Sequence, residues 1–234
     1  MLTWSEFYNQ FSIQLNEQQL SAVQSVTGPV LLLAVPGSGK TTVLVTRLGY
    51  MIFCRGIAPE KILTVTYTVA ATKDMSERFA SRFGQDLADH MEFRTINGIC
   101  ARVIQYYGRK TARTAFSLLT DEKRISAILF AIYQKTERVY PTEGDLKNVR
   151  TLIKYIKNRM LNEKEIEALD ETSEIRISAI YKEYCKHLRE NQLMDYDDQM
   201  VYAYNMLLKI PWLLEYFQNQ YPYICVDEAQ DTSK

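Results

Sequence analysis

Two stretches far apart in the sequence carry residues that suit phosphate and metal chemistry. The first, from Ala34 to Thr41, reads AVPGSGKT and meets the pattern Ala/Gly-x4-Gly-Lys-Ser/Thr. Gly37 and Gly39 allow the backbone to turn successive N–H groups inward, and a helix that starts there adds its positive end. Lys40 is placed to reach the β- and γ-phosphates of a nucleotide, and Thr41 to offer a hydroxyl to Mg²⁺. The residues predicted to bind the nucleotide here are Ala34, Pro36, Gly37, Ser38, Gly39, Lys40, Thr41 and Thr42.

The second stretch follows an apolar run near the end of the chain. Tyr223 to Val226 has the character of a buried strand, and the acidic residues Asp227 and Glu228 come directly after it. In parallel sheets, ligands bind outside the carboxyl ends of the strands, where the first loop is also expected. Asp227 is therefore predicted to hold Mg²⁺, and Glu228 to act as the base for an attacking water. The competing interpretations are a solvated acidic helix start here and, for the first stretch, a glycine turn with a solvated lysine.

Strand and helix patterns alternate over the first 108 residues. Short runs rich in β-branched and other apolar residues predict strands at Val30 to Ala34, Ile62 to Thr68 and Phe93 to Thr95. A helix is predicted after each strand, and the first of these helices begins at the glycine-rich stretch. This alternation predicts an α/β fold with a mostly parallel sheet.

From about residue 109 to residue 208 the pattern is helical throughout. One stripe has clear helical spacing: Leu146, Val149, Ile153, Ile156 and Met160. Strand character returns only at Tyr223. We therefore predict an α/β nucleotide-binding domain of residues 1–108 and 197–234, interrupted by an all-helical insertion of residues 109–196.

Composition narrows the class of protein further. The chain has a formal net charge of +0, so any surface for a polyanion must be local. Its four cysteines show no metal-site spacing, and a reducing, cytoplasmic setting is expected. We see no signal peptide and no apolar run near the roughly 20 residues that a membrane span needs, so no membrane partner is expected.

The two chemical stretches together resemble those of superfamily 1 DNA helicases of the UvrD/PcrA/Rep kind. Four further stretches strengthen the resemblance, in the family's order and spacing. LNEQQ at residues 15–19 resembles L-N-x-x-Q, TYT at 66–68 resembles T-F-T, TING at 95–98 resembles T-F-H-G, and DYDD at 195–198 resembles D-F-D-D. VDEAQD at 226–231 resembles the family's V-D-E-x-Q-D.

The resemblance implies a P-loop NTPase (RecA-like) domain with helices on both faces of its sheet, which uses ATP and Mg²⁺ and moves on DNA. It implies that Gln19 hydrogen-bonds the adenine edge and that Gln230 senses the γ-phosphate, while Asp227 holds magnesium and Glu228 activates water. It implies that Tyr67 stacks on a base of single-stranded DNA. The neighbouring positions of the DNA motifs are Thr68 and Asn97.

The chain also departs from the family pattern. Val69-Ala70 follows TYT where many relatives carry Asn-Lys, Asn97 stands for a histidine, and Thr42 stands for an arginine near the base. The chain stops soon after the acidic stretch, before the arginines and the second motor domain of the family. We therefore expect an N-terminal fragment that hydrolyses ATP very slowly, if at all, and separates no strands alone.

Two features leave structural and functional interpretations open. Lys147, Arg150, Lys154 and Lys157 form a basic row at i, i+3, i+7 and i+10, which suits either duplex phosphates or a solvated helix face. Tyr67 ends a strand, where an aromatic ring either stacks on a nucleic-acid base or packs against the protein.

Two other functions are compatible with the same phosphate loop. A small-molecule phosphoryl transferase would need an arginine-rich substrate lid, which is not evident, and the acidic stretch favours water as the acceptor. A non-catalytic module that only binds nucleotide, DNA or a partner fits the missing arginines. ATPase assays with and without single-stranded DNA separate a DNA-translocating ATPase from the non-catalytic module. Phosphate release without any organic acceptor separates it from the phosphoryl transferase.

Overall fold

The computed structural model describes residues 1–35 and 37–231, so the predicted nucleotide-binding residue Pro36 lies outside the described residues. The chain divides into two compact units. The first is Met1–Gly98 together with the segment that begins at Trp212, and the second is Ile99–Pro211. The sequence interpretation placed the insertion at 109–196, and this assignment of domains stays a prediction.

The elements follow one another along the chain in this order: α1 (Trp4–Gln10), α2 (Glu17–Gln24), α3 (Lys40–Phe53), β1 (Ile62–Thr66), α4 (Val69–Phe83), α5 (Gln85–His90), β2 (Glu92–Thr95), α6 (Ile96–Thr111), β3 (Ser117–Leu118), α7 (Glu122–Glu137), α8 (Glu143–Arg159), α9 (Glu163–Ser173), α10 (Ile177–Glu190), β4 (Leu193–Met194), α11 (Tyr196–Lys209), α12 (Pro211–Gln220) and β5 (Tyr223–Val226). The chain is therefore mixed α/β with many helices. Among the described residues, no helix is long and apolar enough to cross a membrane.

A small parallel sheet organises the first unit. Its strands lie in the order β2-β1-β5, and β1 pairs in parallel with both neighbours. All five residues of β1 are buried, as expected of a central parallel strand covered on both faces. The register sets Val65 opposite Val226, so β1 and β5 end at the same edge of the sheet.

The predicted strand at Val30 to Ala34 is wrong. These residues form no strand, and Leu31 and Leu33 are 74% and 83% exposed. Strand β5 pairs with β1 on one side and with no second strand within residues 1–35 and 37–231. An apolar run becomes a strand only where a neighbour satisfies its backbone N–H and C=O groups, and local composition does not specify that neighbour.

Aromatic side chains from separate helices form much of the core of the first unit. Phe7 on α1 and Phe79 and Phe83 on α4 are buried, together with Leu48 and Met51 of α3. The rings of Phe7 and Phe83 lie with their centroids 5.9 Å apart.

Gly49 is required where α3 and α4 pack together. A Cβ at this position would lie 2.3 Å from the Phe83 ring, a distance that real side chains do not adopt. The two helices approach closely here because Gly49 has no side chain.

The second unit has its own core between α7, α8 and α10. Leu129, Ile156, Ile180 and Tyr184 are buried there, as are Val149 and Ile153 of the predicted apolar stripe, while Leu146 of that stripe is partly buried. Met160 is the exception, because α8 ends at Arg159 and Met160 adopts a left-handed conformation at the C-cap. Its side chain is exposed.

Lys157 is buried in this core, and its predicted contact with DNA is therefore corrected. The side chain is 1% exposed, with Nζ 2.6 Å from Asp195 Oδ2 and 2.8 Å from Asp198 Oδ1. The Tyr184 hydroxyl donates to the same Asp195 oxygen at 3.1 Å. Burial alone would lower the pKa of Lys157, but the two carboxylates hold that pKa above its ordinary value. The physical reason is helical phase: Lys157 lies four residues after Ile153, on the face that packs inward.

Arg150 also makes its hydrogen bonds within the protein. Its guanidinium donates to Glu122 Oε2 at 2.6 Å, to the Glu122 carbonyl at 3.0 Å and to Ser126 Oγ at 2.6 Å. Of the predicted basic row, Lys147 and Lys154 are exposed. The row is therefore two exposed lysines, one arginine that ties α8 to α7, and one buried lysine.

Replacing Lys157 alone should destabilise the second unit strongly. Lys157→Met leaves Asp195 and Asp198 buried without their cation, and we expect a loss of about 3–5 kcal/mol in unfolding free energy. The triple variant Lys157→Met/Asp195→Asn/Asp198→Asn should recover most of that loss, because asparagine keeps the oxygen acceptors without the charge. Urea unfolding of the three proteins at one pH measures this. Equal losses in the single and triple variants would contradict the electrostatic explanation.

Candidate functional site

The glycine-rich loop has the backbone geometry that an anion site needs. Gly37 and Gly39 have φ of 79° and 83°, in the left-handed region that other residues avoid. Helix α3 begins at Lys40, and its N-cap, Gly39, has no side chain to accept a hydrogen bond from the first turn. The N–H groups of that turn are thus open toward the loop, where the helix presents its positive end.

Two polar side chains characterise the interior of the loop. Ser38 Oγ is buried and has no hydrogen-bond partner among the described residues. Gln19 Nε2 donates to the Ser38 carbonyl at 3.0 Å, while Gln19 Oε1 accepts from the Asn16 backbone N–H at 3.0 Å. Gln19 therefore supports the loop from α2 in this structure, and its predicted contact with adenine stays a prediction.

The loop and the acidic stretch meet in space, although 188 residues separate them. Lys40 Nζ lies 3.3 Å from Glu228 Oε2. Gln230 Nε2 donates to the same Glu228 oxygen. The hydrogen bond from Gln230, followed by the hydrogen bond and the charge of Lys40, lowers the pKa of Glu228. Glu228 is therefore a carboxylate at neutral pH and is available to accept a proton.

Asp227 is positioned by the end of the sheet. Its backbone N–H donates to the Val65 carbonyl at 2.9 Å, which extends the pairing of β5 with β1 by one residue. Its Oδ1 accepts from the Glu228 N–H at 3.1 Å. Burial first, and then the charge of Glu228, raise the pKa of Asp227. A half-buried carboxylate with a raised pKa is a group that a bound cation would stabilise.

The residues predicted to hold a metal ion are Asp227 and Thr41, which both offer oxygen atoms. Within residues 1–35 and 37–231, no group of three or more His, Cys, Asp or Glu side chains is arranged to hold a metal. Mg²⁺ usually takes only one or two protein ligands and completes its shell with water and substrate phosphates. Asp227 and the Thr41 hydroxyl fit such a site.

Asp74 is a neighbour of the site that the sequence motifs did not reveal. Its charge contributes to raising the pKa of Asp227. Asp74 lies on α4, which begins just after β1, at the same edge of the sheet as Asp227. The order of the elements could have predicted this position of Asp74, because a helix that follows a parallel strand starts at the edge where ligands bind.

The residues predicted to contact nucleic acid have varied surroundings. Tyr67 follows β1 and is 54% exposed. Thr68 is the N-cap of α4, and its hydroxyl accepts from the Ala71 N–H at 3.1 Å. Asn97 is half-buried in the first turn of α6, and its Oδ1 has no partner in the described part of the chain. Tyr67 thus presents an open ring, whereas the Thr68 hydroxyl is engaged in capping.

Comparisons with known proteins place this geometry in context. Residues 15–234 match the model of the UvrD/REP helicase N-terminal domain. The chain is 32% identical over 232 residues to the ATP-dependent DNA helicase PcrA of Bacillus subtilis (strain 168), covering 97% of this chain. It is 30% identical over 225 residues to the PcrA helicases of Staphylococcus aureus (strain Mu50) and Staphylococcus epidermidis, covering 94% of this chain. The chain spans 30% of the length of each of these relatives.

Asp227→Asn should stabilise the metal-free protein at neutral pH. The folded pKa of Asp227 lies above its ordinary value of 3.8, so the folded chain binds this proton more tightly than the unfolded chain does. The free energy of unfolding therefore falls as pH rises from 3.8 through the folded pKa of Asp227. The asparagine variant does not titrate, so it does not lose this stability. Thermal melts without metal should show a higher Tm for Asp227→Asn at neutral pH.

The difference from the unmodified protein should shrink as pH falls toward 3.8. Glu167→Gln, a change of an exposed carboxyl on α9, is the matched control and should leave the Tm unchanged. A lower Tm for Asp227→Asn at neutral pH would contradict the assigned direction of the pKa shift.

Proposed function

Because the chain belongs to the UvrD/REP helicase family, we propose that it is the ATP-binding N-terminal part of an ATP-dependent DNA helicase or translocase. The observation that carries this proposal is the 3.3 Å contact between Lys40 Nζ and Glu228 Oε2. This contact brings the phosphate loop and the acidic turn to one edge of the sheet. A triphosphate with its metal ion would then lie between groups that bind phosphate and groups that bind the metal.

The loop binds the phosphate chain. The open N–H groups of the first turn of α3 and the backbone at Gly37 and Gly39 donate to phosphate oxygens. When the nucleotide binds, the ammonium group of Lys40 leaves Glu228 and contacts the β- and γ-phosphates. Ser38 Oγ, buried without a partner among the described residues, gains an acceptor in the bound phosphate.

Asp227 and Thr41 hold Mg²⁺, which supplies neutralisation of the charge that develops on the phosphate oxygens. Glu228 orients a water and accepts its proton. The water oxygen forms a bond to the γ-phosphorus, the bond from that phosphorus to the bridging β,γ-oxygen breaks, and ADP leaves with phosphate as the second product. Gln230 donates a hydrogen bond to Glu228, and its proposed role is to sense the γ-phosphate.

Nucleic acid is proposed to contact the exposed ring of Tyr67. An aromatic side chain at the end of a strand offers a stacking surface that accepts any base. Thr68 and Asn97 lie in the neighbouring motifs, and the exposed lysines Lys147 and Lys154 can attract phosphates. Movement on single-stranded DNA is proposed for a protein that also contains the second motor domain.

Two substitutions separate binding from chemistry. Glu228→Gln should lower any phosphate release from ATP to the background rate, since it removes the base, and should retain Mg-ATP binding. Lys40→Ala should lose both. Phosphate release and equilibrium dialysis with Mg-ATP measure these outcomes. ATP binding that is unchanged in Lys40→Ala would overturn the phosphate-loop assignment.

Tyr67→Ala should weaken binding of single-stranded DNA. One lost base stack is worth about 1–3 kcal/mol, which corresponds to roughly a 5- to 150-fold change in Kd. Tyr67→Phe should retain the affinity because the ring is kept. Tyr140→Ala removes a tyrosine that is 74% exposed in the second unit and serves as the control. Equal affinities for Tyr67→Ala and the unmodified chain, measured by fluorescence anisotropy, would assign Tyr67 to packing alone.

A further inference from the structure

A cluster of threonine hydroxyls surrounds the turn that carries Tyr67. Thr66 is the last residue of β1 and Thr68 is the N-cap of α4, so Tyr67 lies between the end of the strand and the cap of the helix. Thr66 is 1% exposed, whereas Tyr67 is 54% exposed. The turn therefore presents an aromatic ring to solvent directly after a buried hydroxyl group.

Three oxygen atoms form a small hydrogen-bonded network across this turn. Thr66 Oγ1 lies 3.1 Å from the Thr68 carbonyl oxygen, and Thr72 Oγ1 lies 2.9 Å from the same oxygen. The two hydroxyl oxygens are 2.5 Å apart. Each hydroxyl has one proton, so one hydroxyl donates to the other and the second donates to the carbonyl. The network therefore joins the end of β1 to the beginning of α4.

Helix α4 begins without help from this network. The Thr72 N–H donates to the Thr68 carbonyl at 3.0 Å as an ordinary helical bond, and the Thr68 hydroxyl accepts from the Ala71 N–H. What the hydroxyls of Thr66 and Thr72 add is a connection between strand and helix. Because this connection holds the backbone on both sides of Tyr67, it fixes the direction of the Cα–Cβ bond of Tyr67. A ring that is already oriented loses less conformational freedom when it binds.

The register of the sheet places a second predicted nucleic-acid stretch beside this turn. Thr66 on β1 is opposite Thr95 on β2, where TING at 95–98 begins. Thr95 Oγ1 accepts from the Gly98 N–H at 3.0 Å, so a threonine hydroxyl also holds the backbone of that turn. Both stretches leave the same edge of the parallel sheet. Tyr67 therefore belongs to a hydrogen-bonded edge and not to a loop without internal contacts.

We propose that the paired hydroxyls of Thr66 and Thr72 position the ring of Tyr67 for stacking on a base of a single-stranded nucleic acid. The inference rests on the proposed function, because it requires that Tyr67 contacts nucleic acid. Both threonines are positioning residues, since neither one touches the nucleic acid itself. Their contribution is the orientation of Tyr67, and it disappears when the ring is removed.

A double-mutant cycle tests this dependence on the ring. Thr66→Val/Thr72→Val removes both hydroxyls and keeps two β-branched side chains of similar size. Fluorescence anisotropy with labelled oligothymidylate should show a Kd that is higher by about 3- to 30-fold, because the ring is no longer held in its binding orientation. In a chain that already carries Tyr67→Ala, the same two substitutions should change the Kd by less than about twofold.

Two controls separate the hydroxyl groups from the substitutions themselves. Thr66→Ser/Thr72→Ser keeps both hydroxyls and should retain most of the affinity. Thr172→Val, on α9 in the second unit, removes an exposed hydroxyl that also bonds a helical carbonyl, that of Leu169 at 3.2 Å. This variant should leave the Kd unchanged.

The valine variant leaves no polar group of the network without a partner. The Thr68 carbonyl keeps its hydrogen bond from the backbone N–H of residue 72, and a circular dichroism melt checks the fold. Thr72→Ala, at the less buried of the two positions, is a milder second variant. It should weaken binding by a smaller factor, and this effect should also require the Tyr67 ring.

The nucleotide site must be assayed in the same variants. The end of β1 also supports the acidic turn, since the Val65 carbonyl accepts from the Asp227 N–H. Mg-ATP binding, measured by equilibrium dialysis, should be the same in Thr66→Val/Thr72→Val and in the unmodified chain. Weaker Mg-ATP binding would assign the hydroxyls to the support of the acidic turn and overturn their positioning role.

The remaining outcomes distinguish this inference from the proposed function. An unchanged Kd for oligothymidylate in both threonine variants, or equal weakening with and without the ring, would overturn the positioning role and leave stacking by Tyr67 intact. An unchanged Kd in Tyr67→Ala, or no binding of oligothymidylate by the unmodified chain, would overturn the proposed nucleic-acid contact and this inference together.

Discussion

The pairing of β5 with β1 is the constraint on which the site depends. The register places Val226 opposite Val65, and the next backbone N–H, that of Asp227, still donates to the Val65 carbonyl. This one additional hydrogen bond fixes where the acidic turn leaves the sheet. Because the strands run in parallel, the turn emerges at the same edge as α4 and the phosphate loop, so groups from three distant parts of the sequence converge.

The second unit shows a different use of charge. Its buried lysine satisfies two carboxylates that also cap α11, since Asp195 accepts from the Asp198 N–H and Asp198 accepts from the Asp195 N–H. The stretch of this chain that resembles the family's D-F-D-D motif therefore has a structural role. Its acidic residues close the helical unit by holding the end of α8 against the start of α11.

Sequence reasoning was most successful where chemistry is local. The glycine-rich loop, the helix after it and the acidic turn were all identified, since each depends on a few adjacent residues with fixed backbone requirements. The amphipathic stripe of α8 predicted its buried residues Val149, Ile153 and Ile156. The mixed α/β fold followed from the order of strands and helices.

The failures share one cause, which is dependence on a distant partner. The run from Val30 to Ala34 has the composition of a strand but no neighbour to pair with among the described residues. The charge of Lys157 suggested an exposed position, whereas the carboxylates of Asp195 and Asp198, on the far side of two intervening helices in the sequence, make its burial possible. Asp74 lies near Asp227 because α4 starts at the edge of the sheet where β5 ends, and that position of β5 depends on its pairing with the distant strand β1.

The backbone at Glu228 has a φ of 51°, in the left-handed region. For a residue with a side chain, this conformation costs on the order of 1–3 kcal/mol, and glycine would adopt it without that penalty. The chain nevertheless carries a glutamate there, so this turn does not have the residue that would best suit its backbone conformation. The chain thus places a carboxylate 3.3 Å from the Lys40 ammonium on a residue whose backbone conformation is unfavourable.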